Sequence, residues 1–361
     1  MALPLALAFP VLWSMVRSRM DAAMISAAYF LAASRGLPLG VANFYSSDMA
    51  PGLLLWLVAS SGFVLVHTVL WTAKAGLQKP LRYLLACLLM AVPPFGILGW
   101  AHPITAAGAL FPSWGWAGLF ALATGLAVLA TRYRVVAIIA LSGLWIWSAA
   151  NWTLPLAPPG WTGVELAYGA SLGRDRSLDR QQDLLATMQV DPSGEEAVFV
   201  LPESTIGFWT PTTARFWERA LKRSRKTIVS GASLVAADGY DNVLVALTQD
   251  GSEVVYRERM PVPGAMWQPW LAWVGESGGA RAHFFANPVV IIRGARVAPL
   301  ICYEQLIVWP ILQSMAHEPE LIIAIGNGWW TAGTSIIGIQ QASAIAWARL
   351  FGKQLVMSFN R

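Results

Sequence analysis

Charge is distributed so unevenly along this chain that its two halves cannot fold by the same rules. Residues 1–160 carry ten of the 45 Asp, Glu, Lys and Arg residues, and residues 161–361 carry the other 35. An ordinary soluble domain has roughly a quarter of its residues charged. The first half falls far short of that, which is why the whole chain reaches only 12% charged against 56% hydrophobic. The second half reads as a normal globular domain.

A helix needs about 20 apolar residues to cross the hydrocarbon core of a bilayer. Residues 52–71, 84–100, 114–130 and 135–152 form four runs of that order. Two shorter runs, 3–16 and 22–33, suit a tilted or re-entrant hairpin. The expectation is a transmembrane domain over residues 1–153 with four long helices and two shorter ones. The opening run has no basic stretch ahead of it and others follow, so it reads as the first membrane segment rather than a cleaved leader.

Lys and Arg in the short loops set the orientation. Arg17 and Arg19 mark the first loop, Lys74, Lys79 and Arg82 the third, and Arg132 and Arg134 the fifth. The second loop has Arg35 offset by Asp48, and the fourth has none. Odd loops are therefore expected in the cytoplasm, and the chain after the sixth run on the outer side. In a bacterium with two membranes that makes a multi-pass inner-membrane protein with a periplasmic C-terminal domain. Trp100, Trp114, Trp116, Trp145, Trp147, Trp152 and Trp161 cluster near the ends of the runs, as interface-seeking indoles do. The runs hold essentially no ionisable groups, which argues against a pump. This half is either a plain anchor or a lipid-facing entrance to the domain that follows.

Residues 154–162 are a Pro-rich linker, and residues 163–361 alternate strand and helix patterns. Strands are expected at 164–171, 197–201 and 226–234, and helices at 176–188 and 212–224. The first helix places Leu178, Leu184, Leu185 and Met188 on one face. Residues 242–248 and 253–258 suit a hairpin around Gln249-Asp250-Gly251. Residues 261–288 are Gly- and Pro-rich and too long for a simple turn, hence a candidate lid. Strands at 289–293, 297–301, 321–325 and 354–359 alternate with helices at 305–316 and 335–350. The sum is a layered α/β domain with mixed sheets.

Several functions are disfavoured. The net charge of +5 is small, and its basic residues in the first half sit between apolar runs, where a bilayer explains them. No phosphate-cradling Gly loop or nucleic-acid surface is evident, so no direct nucleic-acid partner is expected. His67, His102, His283 and His317 are scattered without metal-ligand spacing. No metal or other cofactor is expected. Cys87 and Cys302 lie in different halves and do not suit a structural disulfide.

Two residues carry candidate chemistry. Glu203 follows one buried strand in Phe199-Val200-Leu201-Pro202-Glu203-Ser204, and Cys302 follows another in Ile301-Cys302-Tyr303-Glu304. Groups at the carboxyl ends of strands in open α/β sheets project into the crevice where ligands bind. A carboxylate beside a thiol can take its proton, freeing the thiolate to attack a carbonyl and form a thioester. Each residue also has an ordinary structural reading. A lone Cys at a strand end is a small core residue in roughly three cases of four, and a Glu after a strand is commonly a turn or helix-cap group. Glu304 has the same structural alternative, and Tyr303, Trp329 and Trp330 line either a pocket or the core.

The words around these residues resemble the nitrilase superfamily of carbon–nitrogen hydrolases. Leu201-Pro202-Glu203-Ser204 is similar to the family's Glu motif, and Ile301-Cys302-Tyr303-Glu304 to its nucleophile motif. Asn327-Gly328-Trp329-Trp330 resembles the segment after the next strand, and residues 340–349 the helix beyond it. The resemblance implies a four-layer αββα sandwich with a Glu, Lys, Cys triad, in which Glu203 is the base and Cys302 the nucleophile. Membrane spans ahead of such a domain resemble the apolipoprotein N-acyltransferase branch. Four further stretches resemble a conjugal-transfer branch of Agrobacterium and Rhizobium plasmids: Pro93-Pro94-Phe95-Gly96, Gly99-Trp100-Ala101-His102-Pro103, Phe111-Pro112-Ser113-Trp114-Gly115-Trp116, and Arg259-Met260-Pro261-Val262-Pro263-Gly264. That likeness implies membrane lipids and envelope or conjugation-machinery proteins as partners.

The chain departs from the family at the third triad member. In Tyr256-Arg257-Glu258-Arg259-Met260-Pro261-Val262-Pro263 there is no Lys, and the position that aligns best holds Glu258. Arg257 and Arg259 are the candidate cationic substitutes, though planar guanidinium is no conservative replacement for an ammonium. The acyltransferase branch also has a Glu just past Val-Pro, where Gly264-Ala265-Met266 offers none. The family's sandwich usually continues beyond the last strand, and the acyltransferase branch ends in a further membrane helix. The sequence stops at Asn360-Arg361, so the C-terminal edge of the domain is expected to be either naturally short or truncated. Two functions stay open: a membrane-bound enzyme acting on an amide or lipid ester through a Cys302 thioester, and a non-catalytic relative that binds a lipid or envelope partner.

Overall fold

The computed structural model describes residues 3–74, 76–169, 177–189, 197–222 and 224–361. These group into two compact units. The first comprises Met1–Pro155, Gln305–Leu312 and Gly333–Lys353, and the second Leu156–Glu304, Gln313–Ala332 and Gln354–Arg361. The grouping differs from a division at one point in the chain, because two C-terminal stretches join the N-terminal unit.

The first unit is helical: α1 (Ala8–Met15), α2 (Arg19–Ala33), α3 (Leu37–Tyr45), α4 (Met49–Leu70), α5 (Gln78–Ala91), α6 (Ala107–Leu110), α7 (Gly115–Leu129) and α8 (Arg134–Ala150). Only α4, with 22 residues, is long and apolar enough by itself to cross a membrane among the described residues. The pair α2 and α3 passes the same test together but is bent by 49° at its break. Helices α7 and α8 are apolar but shorter. By length, then, one or two helices qualify where the sequence suggested four long runs and two short ones. The run at 84–100 shows why. Pro93 and Pro94 have no N–H to continue a helix, and each disfavours helical geometry in the residue ahead of it. So α5 stops at Ala91, and a separate 3-10 turn, Phe95–Leu98, follows.

Aromatic rings fill the middle of this unit. Phe9 stacks on Tyr29 with centroids 4.6 Å apart, and the Trp13 indole donates to the His67 carbonyl at 3.1 Å. A C-terminal helix of the same unit, α12 (Ile336–Phe351), packs against α6. A Cβ on Gly108 of α6 would lie 1.7 Å from the Ala346 carbonyl oxygen, so the two backbones meet only because that residue is Gly. Arg349 of α12 donates to the Gly108 carbonyl and to Ser148 Oγ, both at 3.1 Å, with its guanidinium 3.5 Å from the Trp152 ring centre.

The second unit is built from two sheets. The first has the order β1 (Trp161–Gly163), β2 (Val198–Val200), β3 (Thr227–Ala236), β4 (Gly239–Thr248), β5 (Gly251–Arg257). Strands β1 to β3 run parallel, and β3 to β5 antiparallel. The β4–β5 hairpin turns at Gln249 and Asp250, where the sequence places it. The second sheet has the order β6 (Val290–Ile292), β7 (Ala295–Ile301), β8 (Leu321–Asn327), β9 (Gln354–Asn360), with β6 antiparallel to β7 and the rest parallel.

The sheets face each other across an apolar layer that includes Val200, Val229 and Leu244 from one and Val297, Ile323 and Val356 from the other. One segment stitches them at an edge. Val164 N–H donates to the Val200 carbonyl at 2.8 Å, and Leu166 N–H to the Phe359 carbonyl at 2.9 Å. The strand expected at 164–171 is therefore displaced: β1 ends at Gly163, and Leu166 makes only an isolated bridge to Asn360. Residues 170 and 171 lie outside the described residues. Helices α9 (Ser177–Gln189) and α10 (Pro211–Leu221) cover the outer face of the first sheet with Leu184, Leu185, Met188, Trp217 and Leu221. Arg176 and the Leu178 side chain, both part of the expected helix, lie outside the described residues. Helix α11 (Val308–Met315) follows β7, and α12 precedes β9. This is the nitrilase-like arrangement that the sequence led us to expect.

The long stretch after β5 is pinned at its root. Arg281 N–H donates to the Tyr240 carbonyl at 2.8 Å, and the buried Asp241 carboxylate accepts from Arg281 at 2.7 Å and His283 at 2.8 Å. Although burial pushes Asp241 upward, bonds from Arg281, His283 and Arg257 hold it down to about 2. The tip, a 3-10 turn at Pro269–Val274, exposes Trp270, Trp273 and Val274.

Candidate active site

Both candidate chemical residues sit where a strand gives way to a turn, and in both turns the backbone enters the left-handed region. Ser204, directly after Glu203, has φ 58°, and Cys302, directly after β7, has φ 44°. Such values cost a non-Gly residue energy and are held in place by surrounding structure. The Glu203 turn lies tight on β3. A Cβ on Gly231 would be 2.5 Å from Glu203 Cα, so β3 leaves space for this turn only by having no side chain there.

The two side chains meet. Glu203 accepts a hydrogen bond from the Cys302 thiol, from Asn242 Nδ2 at Oε1 (2.7 Å), and from the Asn327 N–H at Oε2 (3.0 Å). Glu203 is buried, and Cys302 is 5% exposed. Burial pushes the Glu203 carboxyl up to about 7, against the pull of these donors. A carboxylate poised near neutrality and bonded to a thiol has the protonation range that a general base needs.

Glu258, the residue that the sequence reading aligned best with the family's Lys, is buried, and one amide links it to Glu203. Asn242 Nδ2 donates to Glu258 Oε2 at 2.8 Å, so one amide joins the two carboxyls. Burial and the nearby charges of Glu203 and Glu304 push Glu258 well above the usual carboxylate range.

Neither Arg lies with this pair. Arg257 is hydrogen-bonded to Asp241 at 3.0 Å. The Arg259 guanidinium is buried, reaching Tyr256 Oη at 2.9 Å, Ser314 Oγ at 3.1 Å and the Pro299 carbonyl at 3.2 Å. Its carboxylate partner is Glu304, with Nε 3.4 Å from Oε1. Oε1 of that residue accepts from the Arg259 N–H at 2.8 Å and Tyr256 Oη at 2.6 Å, while Oε2 accepts from the Ile301 N–H at 2.8 Å. Glu304 thus braces the turn that carries Cys302.

Tyr303 is buried, and its hydroxyl is pushed up by burial. The Trp330 indole donates to the Asn327 carbonyl at 3.0 Å, steadying the residue whose N–H reaches Glu203. Trp329 shares its 3-10 turn. Among the described residues no group of three or more His, Cys, Asp or Glu side chains could hold a metal ion.

Three polar residues that matter here were not singled out by sequence reasoning. Asn242 joins the carboxyls, Asn327 supplies its N–H, and Asn360 Nδ2 donates to Asn327 Oδ1 at 2.8 Å. The usable signal was an Asn inside or ending an apolar strand, since buried amides have to find partners.

These features bring a thiol and two carboxyls together on a nitrilase-like sandwich. A family model for carbon–nitrogen hydrolases matches residues 31–349, and the chain belongs to that family, within the nitrilase superfamily. Its relatives narrow the group. It is 63% identical to a "Probable conjugal transfer protein TraB" of Sinorhizobium fredii, covering 99% of this chain and 92% of that one. It is 56% identical to "Conjugal transfer protein TraB" of Agrobacterium fabrum, covering 99% and 87%. Among solved structures, a carbon–nitrogen hydrolase from Helicobacter pylori aligns with a TM-score of 0.41 at 13% identity, over 55% of this chain and 73% of that one. An amidase from Nesterenkonia aligns with a TM-score of 0.39 at 15% identity, over 57% and 79%.

Proposed function

We propose that this protein is a membrane-bound acyl-transfer or amide-cleaving enzyme that serves plasmid conjugal transfer, with Cys302 as nucleophile and Glu203 as base. The observation that carries the reading is the hydrogen bond from the Cys302 thiol to a buried carboxyl held near neutrality. The thiol proton passes to Glu203 as the sulfur attacks the carbonyl carbon of an amide or lipid ester. The proton then goes to the departing amine or alcohol, leaving a thioester for water or an acceptor amine to resolve.

Placement in the bacterial inner membrane, with the sandwich in the periplasm, is part of the same reading. It is supported by α4, by the Lys and Arg loops, and by the large apolar side chains that the first unit leaves exposed, such as Leu54, Phe120, Ile139 and Ile146. Membrane lipids and envelope or conjugation-machinery proteins are the partners this placement offers, with no direct nucleic-acid contact. Glu258 in place of the family's Lys favours a second reading, an accessory protein with no chemistry that binds a lipid or envelope partner.

A fluorophosphonate or iodoacetamide probe on the full-length protein in membranes separates the two. The enzyme reading expects labelling at Cys302 that Glu203→Gln abolishes, and a fall in plasmid transfer with Cys302→Ser. An unlabelled Cys302 with normal transfer by Cys302→Ser leaves only the accessory role.

A further inference from the structure

Two carboxyls share one amide here, and that geometry restricts how many protons they hold. Glu203 Oε1 lies 2.7 Å and Glu258 Oε2 2.8 Å from the same Asn242 nitrogen, so the two oxygens are no more than about 5.5 Å apart. Both side chains are buried, and neither makes an ion pair with a Lys or Arg among the described residues. Two such carboxyls cannot both ionise, as in other paired-carboxyl sites. The donors decide which one carries the charge. Glu203 has three of them, from Asn242, Asn327 and Cys302. Glu258 has Asn242 alone, on Oε2, so its proton sits on Oε1.

That atom is buried and finds no hydrogen-bond partner among the described residues, and Asn242 Oδ1 is in the same position. A buried O–H without an acceptor loses about 1–3 kcal/mol, and a ligand oxygen would recover it. The charged and titratable groups around Glu258 are Glu203, Glu304 and Tyr240. The neighbouring cations and His283 are turned to other partners: Arg257, Arg281 and His283 to Asp241, and Arg259 to Glu304. Among these neighbouring groups of the described residues, no cation is turned toward Glu258.

We propose that Glu258, as the neutral acid, is the hydrogen-bond donor to the acyl oxygen during attack by Cys302. The proposal rests on the enzyme reading above and adds a catalytic residue to it. The Cys302 proton moves to Glu203 and the sulfur bonds to the carbonyl carbon. The carbonyl π pair goes to oxygen, and the Glu258 O–H stabilises that oxygen without giving up its proton. When the tetrahedral centre collapses, the pair returns, the leaving group departs with the proton from Glu203, and Glu258 is unchanged. A neutral acid kept as a donor by its surroundings is an established way to bind an oxyanion.

The test compares two reactions at the same sulfur in the full-length protein. Acylation by a p-nitrophenyl ester develops an oxyanion; alkylation by iodoacetamide does not. Glu258→Gln keeps an N–H donor of the same shape and is expected to acylate within about three-fold of the native rate. Glu258→Met has the length without the donor and is expected to acylate about a hundred-fold slower. Both variants should alkylate at close to the native rate, which also reports that the turn is intact. Equal acylation by the Met variant overturns the proposal, and so does a parallel loss of both reactions, which would make Glu258 a positioning residue. If the native protein neither acylates nor alkylates, the enzyme reading itself fails and this assignment falls with it.

Discussion

The backbone N–H of Asn327 donates to Glu203 Oε2 at 3.0 Å, and this one bond ties the end of β8 in one sheet to the buried carboxyl carried by the other. Cys302 stands at the end of the strand next to β8. The contact between Glu203 and Cys302 therefore depends on how the two sheets face each other rather than on any local sequence motif. Asn360 strengthens the joint: it bonds Asn327 at 2.8 Å, the Gly169 carbonyl at 2.9 Å, and accepts from the Tyr168 N–H at 2.8 Å.

Loss of that Asn is expected to damage stability and site together. Asn360→Ala removes three hydrogen bonds and leaves half-buried groups unpaired, a cost of about 2–4 kcal/mol. Urea unfolding of the variant should show it, and probe labelling of Cys302 should slow in step. Unchanged labelling in a clearly destabilised variant would show that the joint does not position the base.

The raised Glu203 carboxyl makes stability and reactivity move in opposite directions with pH. Burial holds its folded value near 7, above the ordinary 4.5. The native state therefore binds the proton more tightly than the unfolded chain does. The stability this gives is full below about pH 4.5 and is lost as pH rises through about 7, to an extent on the order of 3 kcal/mol. Over the same window the base becomes available, so labelling of Cys302 should rise with a midpoint near 7. Glu203→Gln should flatten both curves. A labelling profile that ignores this window would remove Glu203 as the base.

Gly231 offers a steric test at a distance from the thiol. A Cβ there would lie 2.5 Å from Glu203 Cα and 2.7 Å from the Ser204 nitrogen. Backbone on both sides cannot yield as a flexible side chain would, so Gly231→Ala is expected to cost about 1–3 kcal/mol. It should also push the carboxyl off the sulfur, slowing labelling of Cys302 in the surviving folded protein. Gly207, where no atom lies within 4 Å of an added Cβ, serves as the steric control on the same turn, although its φ of 75° still strains any other residue.

What was legible in the sequence followed from burial patterns. Phe199-Val200-Leu201 and Val297 to Ile301 are unbroken apolar strands, so the first polar residue after each stands out. The hairpin at Asp250-Gly251 was legible from its turn chemistry. Asn242 was not, because the strand pattern treats a polar residue near a strand's start as solvated, and only the second sheet's arrangement makes it a bridge. The sequence offers Arg259 as a candidate cationic substitute, and its local pattern does not reveal the carboxylate that it meets. The alternation of β5 ends at Arg257, and the turn that follows carries Arg259 inward to Glu304. In the first half, composition revealed apolar runs but not where they break, as Pro93-Pro94 shows. The joining of α12 to the helical unit is a long-range fact that no local pattern encodes.

Glu304 should behave as a structural anchor. It and Arg259 are both fully buried and bonded to each other. Glu304→Ala would leave the guanidinium without its carboxylate, and breaking one side of such a pair costs about 3–5 kcal/mol. Glu304→Gln keeps the shape and part of the bonding, so it should lose less. Thermal unfolding that ranks the native protein above Gln and Gln above Ala fits this; an Ala variant as stable as the native protein refutes it.

The backbone at Cys302 allows its strain to be measured apart from its chemistry. With φ at 44°, residue 302 is in a region that costs a side-chain-bearing residue about 1–2 kcal/mol and Gly almost nothing. Ala and Gly at this position both lack the sulfur, so both are without nucleophile and without its bond to Glu203. They differ chiefly in that penalty, offset in part by the greater freedom of Gly in the unfolded chain. Cys302→Gly is therefore expected to unfold about 1 kcal/mol harder than Cys302→Ala, the reverse of the order that the two residues follow in an ordinary strand. The finding would mean that the fold spends stability to turn the sulfur out of β7 toward Glu203. If Ala proves the more stable, the turn relaxes without cost, and the left-handed geometry has no part in presenting the thiol.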